Sequence, residues 1–184
     1  SIFAISRYTE GQYGRVITSP DWNWLIGQHS GYNGRYFFNG WIDQGFPKDL
    51  DFHIFEVVHE GKDKSGDPSA YIWNDGISGN YNSGRPTGSH NNNFAPARIS
   101  MGGWPNGGQA RELSTCQVGE FLLFEGEIEE TDRLLVEGYL AHKWGISLPE
   151  SHPWNTEGPT FGEIIIDGVT PVGFTGSTSG PIAV

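Results

Sequence analysis

The stretch QVGEFLLFEGEIEETDRLLVEGYLAHKW, residues 117 to 144, contains the change of hydrophobic periodicity that indicates the fold class. Its first twelve residues form an apolar run of the length of a β-strand. Further on, apolar side chains recur near helical spacing, acidic residues crowd the start, and basic residues stand at the end. The pattern predicts one helix from Glu129 to Trp144 that ends at Gly145. The apolar positions of this helix are Leu134, Leu135, Tyr139 and Trp144.

Other apolar and aromatic runs of strand length precede this stretch and are separated by turn residues. The 27 Gly and 11 Pro are spread among these runs, which predicts many turns and many short strands. Such spacing is typical of an antiparallel sandwich or barrel, with the single helix lying against one edge or end of it. The runs cover residues 2–6, 14–18, 22–27, 35–42, 51–60, 69–74 and 97–103.

Length and charge restrict the domain organisation and the possible partners. The 184 residues fit a single domain, 1 to 184, in which residues 155 to 184 are either a final strand or a tail. The 11 basic and 22 acidic residues give a net charge of -11, which repels nucleic acid and anionic lipid and suits cations.

The sequence contains no apolar run long enough to span a bilayer, so we expect no membrane insertion. One cysteine, Cys116, excludes an intrachain disulfide.

Residues 119 to 154 resemble the C-terminal signature of bacterial laminin-G-like, concanavalin A-like jelly rolls. In these domains a strand, a short helix, a Gly-Tyr-Leu-Ala-x-Lys-Trp-Gly stretch and a Leu-Pro-x-x-His-Pro ending occur in this order. The resemblance implies an all-β jelly-roll β-sandwich with one short α-helix on its C-terminal side. The strands that usually come first in these domains are absent here. The upstream stretches that also resemble strands of such domains are SIFAISR (1–7), NWLIG (23–27), RYFFNGW (35–41) and RISMGGW (98–104).

The size, the acidity and the polar loops are similar to those of the peptide-binding modules of large RTX adhesins of Gram-negative bacteria. This resemblance implies a calcium-dependent, extracellular module on the cell surface, monomeric within a longer chain. Its expected partner is the C-terminal end of a peptide or protein on another cell. A carbohydrate-binding, lectin-like module on the same fold is the alternative, and a structural spacer without a ligand is a third possibility.

The Asn-rich segment, residues 74 to 94, contains little that could join a hydrophobic core. Loops of this length are uncommon in compact domains and are usually functional or disordered. Carboxylate, amide and backbone oxygens are the ligands that calcium prefers. Only one carboxylate, Asp75, lies in the segment, so a second loop with Asp21 or a carboxylate of the bound ligand would have to complete the site. Asn and Gly can also serve only to form turns. The predicted calcium ligands are Asp75, Asn80, Asn91 and Asn93.

A second polar stretch, WPNGGQAR at residues 104 to 111, combines an aromatic ring with amides and a guanidinium. Such a surface suits a peptide or a sugar, because both need an apolar wall and fixed hydrogen bonds. Arginine can bind a ligand carboxylate through two parallel hydrogen bonds, although most surface arginines only balance nearby acids. The candidate ligand-binding residues are Asn74, Asp75, Asn80, Asn82, Arg85, Ser89, His90, Asn91, Asn92, Trp104, Asn106, Gln109 and Arg111.

Catalytic patterns are absent from the sequence. A glycosidase needs two carboxylates that flank the scissile bond, and in the DLDFHIFE stretch Asp49 and Asp51 fall on the strand face opposite to Glu56. The histidines show no metal-ligand spacing, and no nucleophile elbow or phosphate loop occurs. The sequence therefore predicts a binding module and not an enzyme.

Overall fold

The computed structural model describes residues 1–21, 23–38, 40–59, 70–79 and 98–159 of the chain. Within these ranges the regular structure is a set of antiparallel strands followed by one helix, which confirms the predicted all-β class. The elements are β1 (Ile2–Tyr13), β2 (Ile17–Thr18), β3 (Trp24–His29), β4 (Tyr32–Phe38), β5 (Trp41–Pro47), β6 (His53–His59), β7 (Ala70–Asn74), β8 (Ile77–Ser78), β9 (Ser100–Met101), β10 (Trp104–Asn106), β11 (Gln109–Arg111), β12 (Ser114–Leu123) and α1 (Glu130–Trp144).

The strands form two sheets and a separate ribbon. The first sheet has the order β12-β1-β6-β7-β8, and the second has the order β5-β4-β3-β2-β9. The β10–β11 ribbon is an independent antiparallel pair. Alternate residues of the two sheets pack face to face and form one buried core, so the sheets are the layers of a sandwich. This core contains Ile2, Ala4, Phe55 and Val57 from the first sheet and Trp24, Ile26, Tyr36 and Phe38 from the second.

The helix covers the outer face of the first sheet. The expectation that it lies at an edge or end of the sandwich was wrong, because β1 and β6 are apolar on both faces and the outer face needs its own cover. The second core cluster between sheet and helix contains Phe3, Ile5, Ile54 and Val58 together with Val136, Leu140 and Ala141.

The buried face of α1 also differs from the predicted apolar stripe. The stripe residues Leu134, Leu135, Tyr139 and Trp144 are only half-buried. Two charged residues, Arg133 and Glu137, are buried instead, and hydrophobic periodicity cannot detect such a pair. The predicted end of the helix is confirmed, since Gly145 adopts the left-handed conformation with a φ of 69° and its N–H donates to the carbonyl of Ala141.

Three turns were not predicted at their positions. The run of residues 35–42 divides into the end of β4 and the start of β5. The Asn-rich segment begins with a hairpin between β7 and β8, whose Asp75 and Gly76 have φ values of 51° and 76°. Positive φ at both turn residues is the type I′ geometry that an Asp-Gly pair favours. The stretch of residues 104–111, expected as a loop, is the β10–β11 ribbon.

The prediction that residues 155 to 184 form a final strand or a tail falls mainly outside the described residues, which end at residue 159. In the part of the chain that the structure describes, no helix is long and apolar enough to cross a membrane.

Candidate functional site

The β10–β11 ribbon brings four of the predicted ligand-binding residues together. Its register places Trp104 opposite Arg111 and Asn106 opposite Gln109. Directly opposed residues share a face, and so do residues two apart on one strand, so all four project from the same face of the ribbon. The turn consists of Gly107 and Gly108, whose φ values of 61° and 77° are those of a tight two-residue hairpin. The ribbon therefore presents one ring, two amides and one guanidinium in a fixed order.

Arg15 fixes both strands of the ribbon to the sandwich at the base of the ribbon. Its guanidinium carbon lies 4.1 Å from the centre of the Trp104 ring, and its Nε lies 2.5 Å from Glu112 Oε2 directly after β11. Its Nη1 donates to Asn23 Oδ1 at 2.7 Å and to Thr18 Oγ1 at 3.2 Å. Burial lowers the pKa of Arg15, and the Glu112 carboxylate opposes that change. A buried guanidinium with this many partners makes the base of the ribbon rigid.

Arg111 projects from the ribbon into solvent. Its Nη2 lies 3.5 Å from Gln109 Oε1, and no carboxylate among the described residues forms an ion pair with it. Guanidinium groups bind carboxylates through paired hydrogen bonds. Arg111 therefore has the chemistry to bind an anionic group beside the Trp104 ring.

Aromatic rings continue from the base of the ribbon across the second sheet, from the β3–β4 turn towards the start of β5. His29 Nε2 lies 3.1 Å from Glu112 Oε2, and the His29 ring centre lies 5.4 Å from that of Trp41. The Arg35 guanidinium lies 4.0 Å from the centre of the Tyr32 ring and 5.4 Å from that of Trp41. Burial lowers the pKa of His29, although the charge of Glu112 opposes this change. The lowered pKa favours a neutral imidazole.

Asn74 and Asp75, at the start of the Asn-rich segment, are engaged within the protein. Asn74 Oδ1 accepts a hydrogen bond from the Tyr36 hydroxyl at 2.9 Å. Asp75 Oδ1 accepts one from the Ile54 backbone N–H at 2.7 Å, and Asp75 Oδ2 lies 2.6 Å from His53 Nδ1. These contacts attach the β7–β8 turn to the start of β6.

His53 bridges two carboxylates at this turn. Its Nε2 lies 2.9 Å from Asp49 Oδ1, which also accepts from Asn33 Nδ2 at 3.2 Å. Burial alone would lower the pKa of His53, but the hydrogen bonds and charges of Asp75 and Asp49 outweigh it and raise the pKa to about 9. The ring is therefore an imidazolium at neutral pH. Sequence reasoning missed His53, although its position between acidic residues in DLDFHIFE was a usable signal.

The ribbon and the β7–β8 turn lie at the same end of the sandwich, on either side of the β3–β4 turn. His29, at the end of β3, contacts Glu112 at the base of the ribbon. Gly31, in the turn, accepts a hydrogen bond from the Lys48 backbone N–H at 3.2 Å, and the next residue, Asp49, contacts the His53 ring. A continuous series of contacts thus connects the two groups of predicted site residues.

The described carboxylates of the expected calcium site already have protein partners. Asp75 has the partners described above. Asp21, which was expected to complete the site, accepts a hydrogen bond from Arg98 Nε at 3.1 Å. Over the described ranges, no group of three or more His, Cys, Asp or Glu residues could hold a metal ion. Each Asp75 oxygen keeps a second lone pair, so this residue could still add to a site built mainly from amide oxygens. The predicted site residues outside the described ranges are Asn80, Asn82, Arg85, Ser89, His90, Asn91, Asn92 and Asn93.

Comparisons with protein-family models, with curated proteins and with solved structures find no match to this chain.

Proposed function

We propose that this chain is a calcium-dependent ligand-binding module of a bacterial surface adhesin of the RTX type, and that it binds the C-terminal end of a peptide. The proposed fold is a laminin-G-like, concanavalin A-like jelly roll. The two packed antiparallel sheets and the covering helix are compatible with that fold. The proposed location is extracellular, on the cell surface.

The observation that carries the proposal is the composition of one face of the β10–β11 ribbon. A peptide end offers a carboxylate, backbone amides and a last side chain. Arg111 provides the charge for the carboxylate, Asn106 and Gln109 provide amide groups, and Trp104 provides an apolar wall. Because Arg15 immobilises the base of the ribbon, little conformational entropy would be lost when a ligand binds.

Calcium has a defined place in the proposal. Asn80, Asn91 and Asn93 would supply amide oxygens, with Asp75 as the carboxylate. When bound, the ion would add positive charge that attracts an anionic ligand group. The net charge of -11 favours accumulation of cations at the surface.

Peptide and glycan arrays probed in calcium test the proposal directly. Peptides with a free C-terminal carboxylate should bind, and the same peptides with an amidated C-terminus should not. Arg111→Gln should weaken binding at least about tenfold, the effect of one charge-assisted hydrogen bond. Arg7→Gln is the matched control, because Arg7 contacts Gln117 on a different strand pair. Equal binding of free and amidated peptides would contradict the proposal.

A carbohydrate ligand is the second candidate, favoured by the aromatic side chains beside the ribbon. Tyr32 is 38% exposed, and its ring stacks with Arg35 next to Trp41. Flat exposed rings bordered by polar groups suit the apolar faces of sugars. Selective binding to neutral glycans, with no peptide signal on the same arrays, would favour this candidate.

A further inference from the structure

A group of charged side chains lies buried between α1 and the first sheet. Glu56 on β6 and Glu137 on α1 are both 0% exposed, and Arg133 on α1 is also buried. Arg133 Nη1 lies 2.8 Å from Glu137 Oε2 and 3.6 Å from Glu56 Oε2. The Arg133 guanidinium also lies 4.2 Å from the centre of the Trp73 ring. Buried charges persist only where such partners compensate for lost hydration.

Glu56 is the carboxyl group of this cluster whose environment favours the protonated form. Burial, and after it the charge and hydrogen bonding of Glu137, raises the pKa of Glu56 well above its ordinary value, and Arg133 opposes this only in part. A raised pKa favours the neutral form of a buried carboxyl group. Arg133 then offsets the one remaining negative charge. The group is therefore electrically balanced, and it links helix to sheet through polar contacts.

His152 extends this buried group to the chain that follows the helix. Its Nε2 lies 3.2 Å from Glu137 Oε2, and its Nδ1 accepts the Trp154 backbone N–H at 3.2 Å. Since Nδ1 accepts, the ring proton is on Nε2 and donates to the Glu137 carboxylate. His152 is 5% exposed, so neither nitrogen has water as a ready substitute.

The chain around His152 packs against the β7–β8 turn. A Cβ atom placed on Gly76 would lie 3.0 Å from Leu148 Cδ2, 3.1 Å from Pro149 Cδ and 3.4 Å from His152 Cδ2. Gly76 follows Asp75 directly, so the post-helix segment, residues 146 to 154, supports the turn from which the Asn-rich segment begins. The turn is also held by a hydrogen bond from the Asp75 N–H to the Ile54 carbonyl at 3.0 Å.

We propose that His152 is a positioning residue for the ligand site. Its bond to Glu137 fixes the post-helix segment on the buried carboxyl pair, and the fixed segment holds the β7–β8 turn in place. The helix thereby determines the position of this turn and of the predicted site residues Asn74 and Asp75. The consequence for binding rests on the proposed function, whereas the effect on the turn does not.

Amide hydrogen exchange tests this role in two variants. Each variant keeps one of the two hydrogen bonds that His152 makes, with Glu137 or with Trp154. His152→Gln keeps an amide N–H that reaches Glu137, and His152→Asn keeps an acceptor for Trp154 but is too short to reach Glu137. We expect His152→Asn to lower the protection of the Asp75 and Gly79 amides about tenfold, and His152→Gln to keep it within about twofold. Both amides are hydrogen bonded in the native structure, to Ile54 and Ile72 respectively.

Two outcomes would overturn the proposal. One is wild-type protection of both amides in His152→Asn. The other is a loss of equal size in the central strand β3, which would mean that His152 contributes only general stability. Should His152→Asn not fold, Leu148→Ala removes the contact with the turn and retains the bond to Glu137. It should lower protection at Asp75 without changing β3, and unchanged protection there would equally overturn the proposal.

Hydrogen exchange separates this inference from the proposed function because it needs no ligand. Binding to free-carboxylate peptides is measured on the same variants. If no peptide binds the wild type but exchange behaves as expected, the proposed function fails and the positioning role stands. If the wild type binds peptides and the exchange of the turn is insensitive to His152, only the positioning role fails.

Discussion

The role that the sequence predicts for Asp75 differs from the role that the structure shows. Its carboxylate was predicted as a calcium ligand, and the structure surrounds it with the Ile54 N–H and the His53 ring. The meeting of Asp75 and His53 depends on the pairing of β6 with β7 and is not visible locally, since 22 residues separate them. Asp75 therefore contributes to the stability of the turn whether or not it also binds an ion.

Substitution of Asp75 should reduce folding stability as well as binding. From the sequence alone, Asp75→Ala is expected to affect binding much more than folding. With both carboxylate oxygens hydrogen bonded, we expect a loss of about 2 kcal/mol in the free energy of unfolding. Asp75→Asn keeps an acceptor for Ile54 and should lose about half as much. Urea denaturation measures both losses, and an unchanged midpoint for Asp75→Ala would contradict the structural role.

The His53 imidazolium should make stability depend on pH. The folded state raises the pKa of His53 from an ordinary 6.5 to about 9, so the folded protein binds this proton more tightly than the unfolded chain does. The stabilisation is complete below about pH 6.5 and is lost as the pH rises towards 9. Allowing for solvent screening, we expect a loss of about 1 to 2 kcal/mol.

The matched variant for this prediction is His53→Gln, which can donate one hydrogen bond but cannot titrate. Unfolding free energies of the wild type and the variant, measured from pH 6 to 9, should converge as the pH rises. A constant difference over that range would show that the charge of His53 does not contribute.

Substitution by Gln should have opposite effects on stability at Glu56 and at Glu137. The pKa of Glu56 is raised in the folded state, so the folded protein retains a proton that the unfolded chain releases, and stability falls as the pH rises above 4.5. Glu56→Gln removes that fall and should be at least as stable as the wild type at pH 7. Glu137→Gln weakens the partner of Arg133 and His152 and should destabilise the protein by about 3 kcal/mol. Chemical denaturation at pH 5 and 8 tests this contrast, and a strongly destabilised Glu56→Gln would contradict it.

At the scale of elements, strand positions were easier to predict than their ends and turns. Both faces of β6 are buried, and its sequence is therefore largely apolar at consecutive positions. Such an apolar run, here residues 51–60, predicts a strand. The β7–β8 turn was missed because a stretch rich in Asn, Gly and Ser is typical of a loop, although its Asp-Gly pair is a strong hairpin signal. The β10–β11 ribbon was missed for a similar reason, since three residues per strand are too few for a periodicity.

The helix provides a prediction about close packing. A Cβ atom on Gly138 would lie 2.6 Å from the Trp154 Cβ, so the helix and the post-helix segment meet at a residue without a side chain. Although Ala favours helices by about 1 kcal/mol over Gly, Gly138→Ala should lower stability by about 1 to 3 kcal/mol. Thr131→Ala, at an exposed position of α1, is the control and should change stability little. An increased melting temperature for Gly138→Ala would show that the contact is looser than described.

At the scale of the whole molecule, the sandwich and the helix place distant parts of the chain at one end. The ribbon base, the β3–β4 turn and the β7–β8 turn are joined by contacts that involve Glu112, His29, Lys48 and His53. The sequence predicted the polar stretches that reach this end, but it did not show which of them meet. That arrangement depends on sheet order, which a single sequence does not encode in any local pattern.

Calcium should stabilise the folded protein if the account is right. A ligand that binds only the native state stabilises it by about 2.7 kcal/mol at a concentration one hundred times its dissociation constant. The most direct test is thermal unfolding in millimolar calcium, in millimolar magnesium and in chelator, at constant ionic strength. We predict a melting temperature that is several degrees higher in calcium than in the other two conditions. Identical melting temperatures in calcium and in chelator would contradict the central claim.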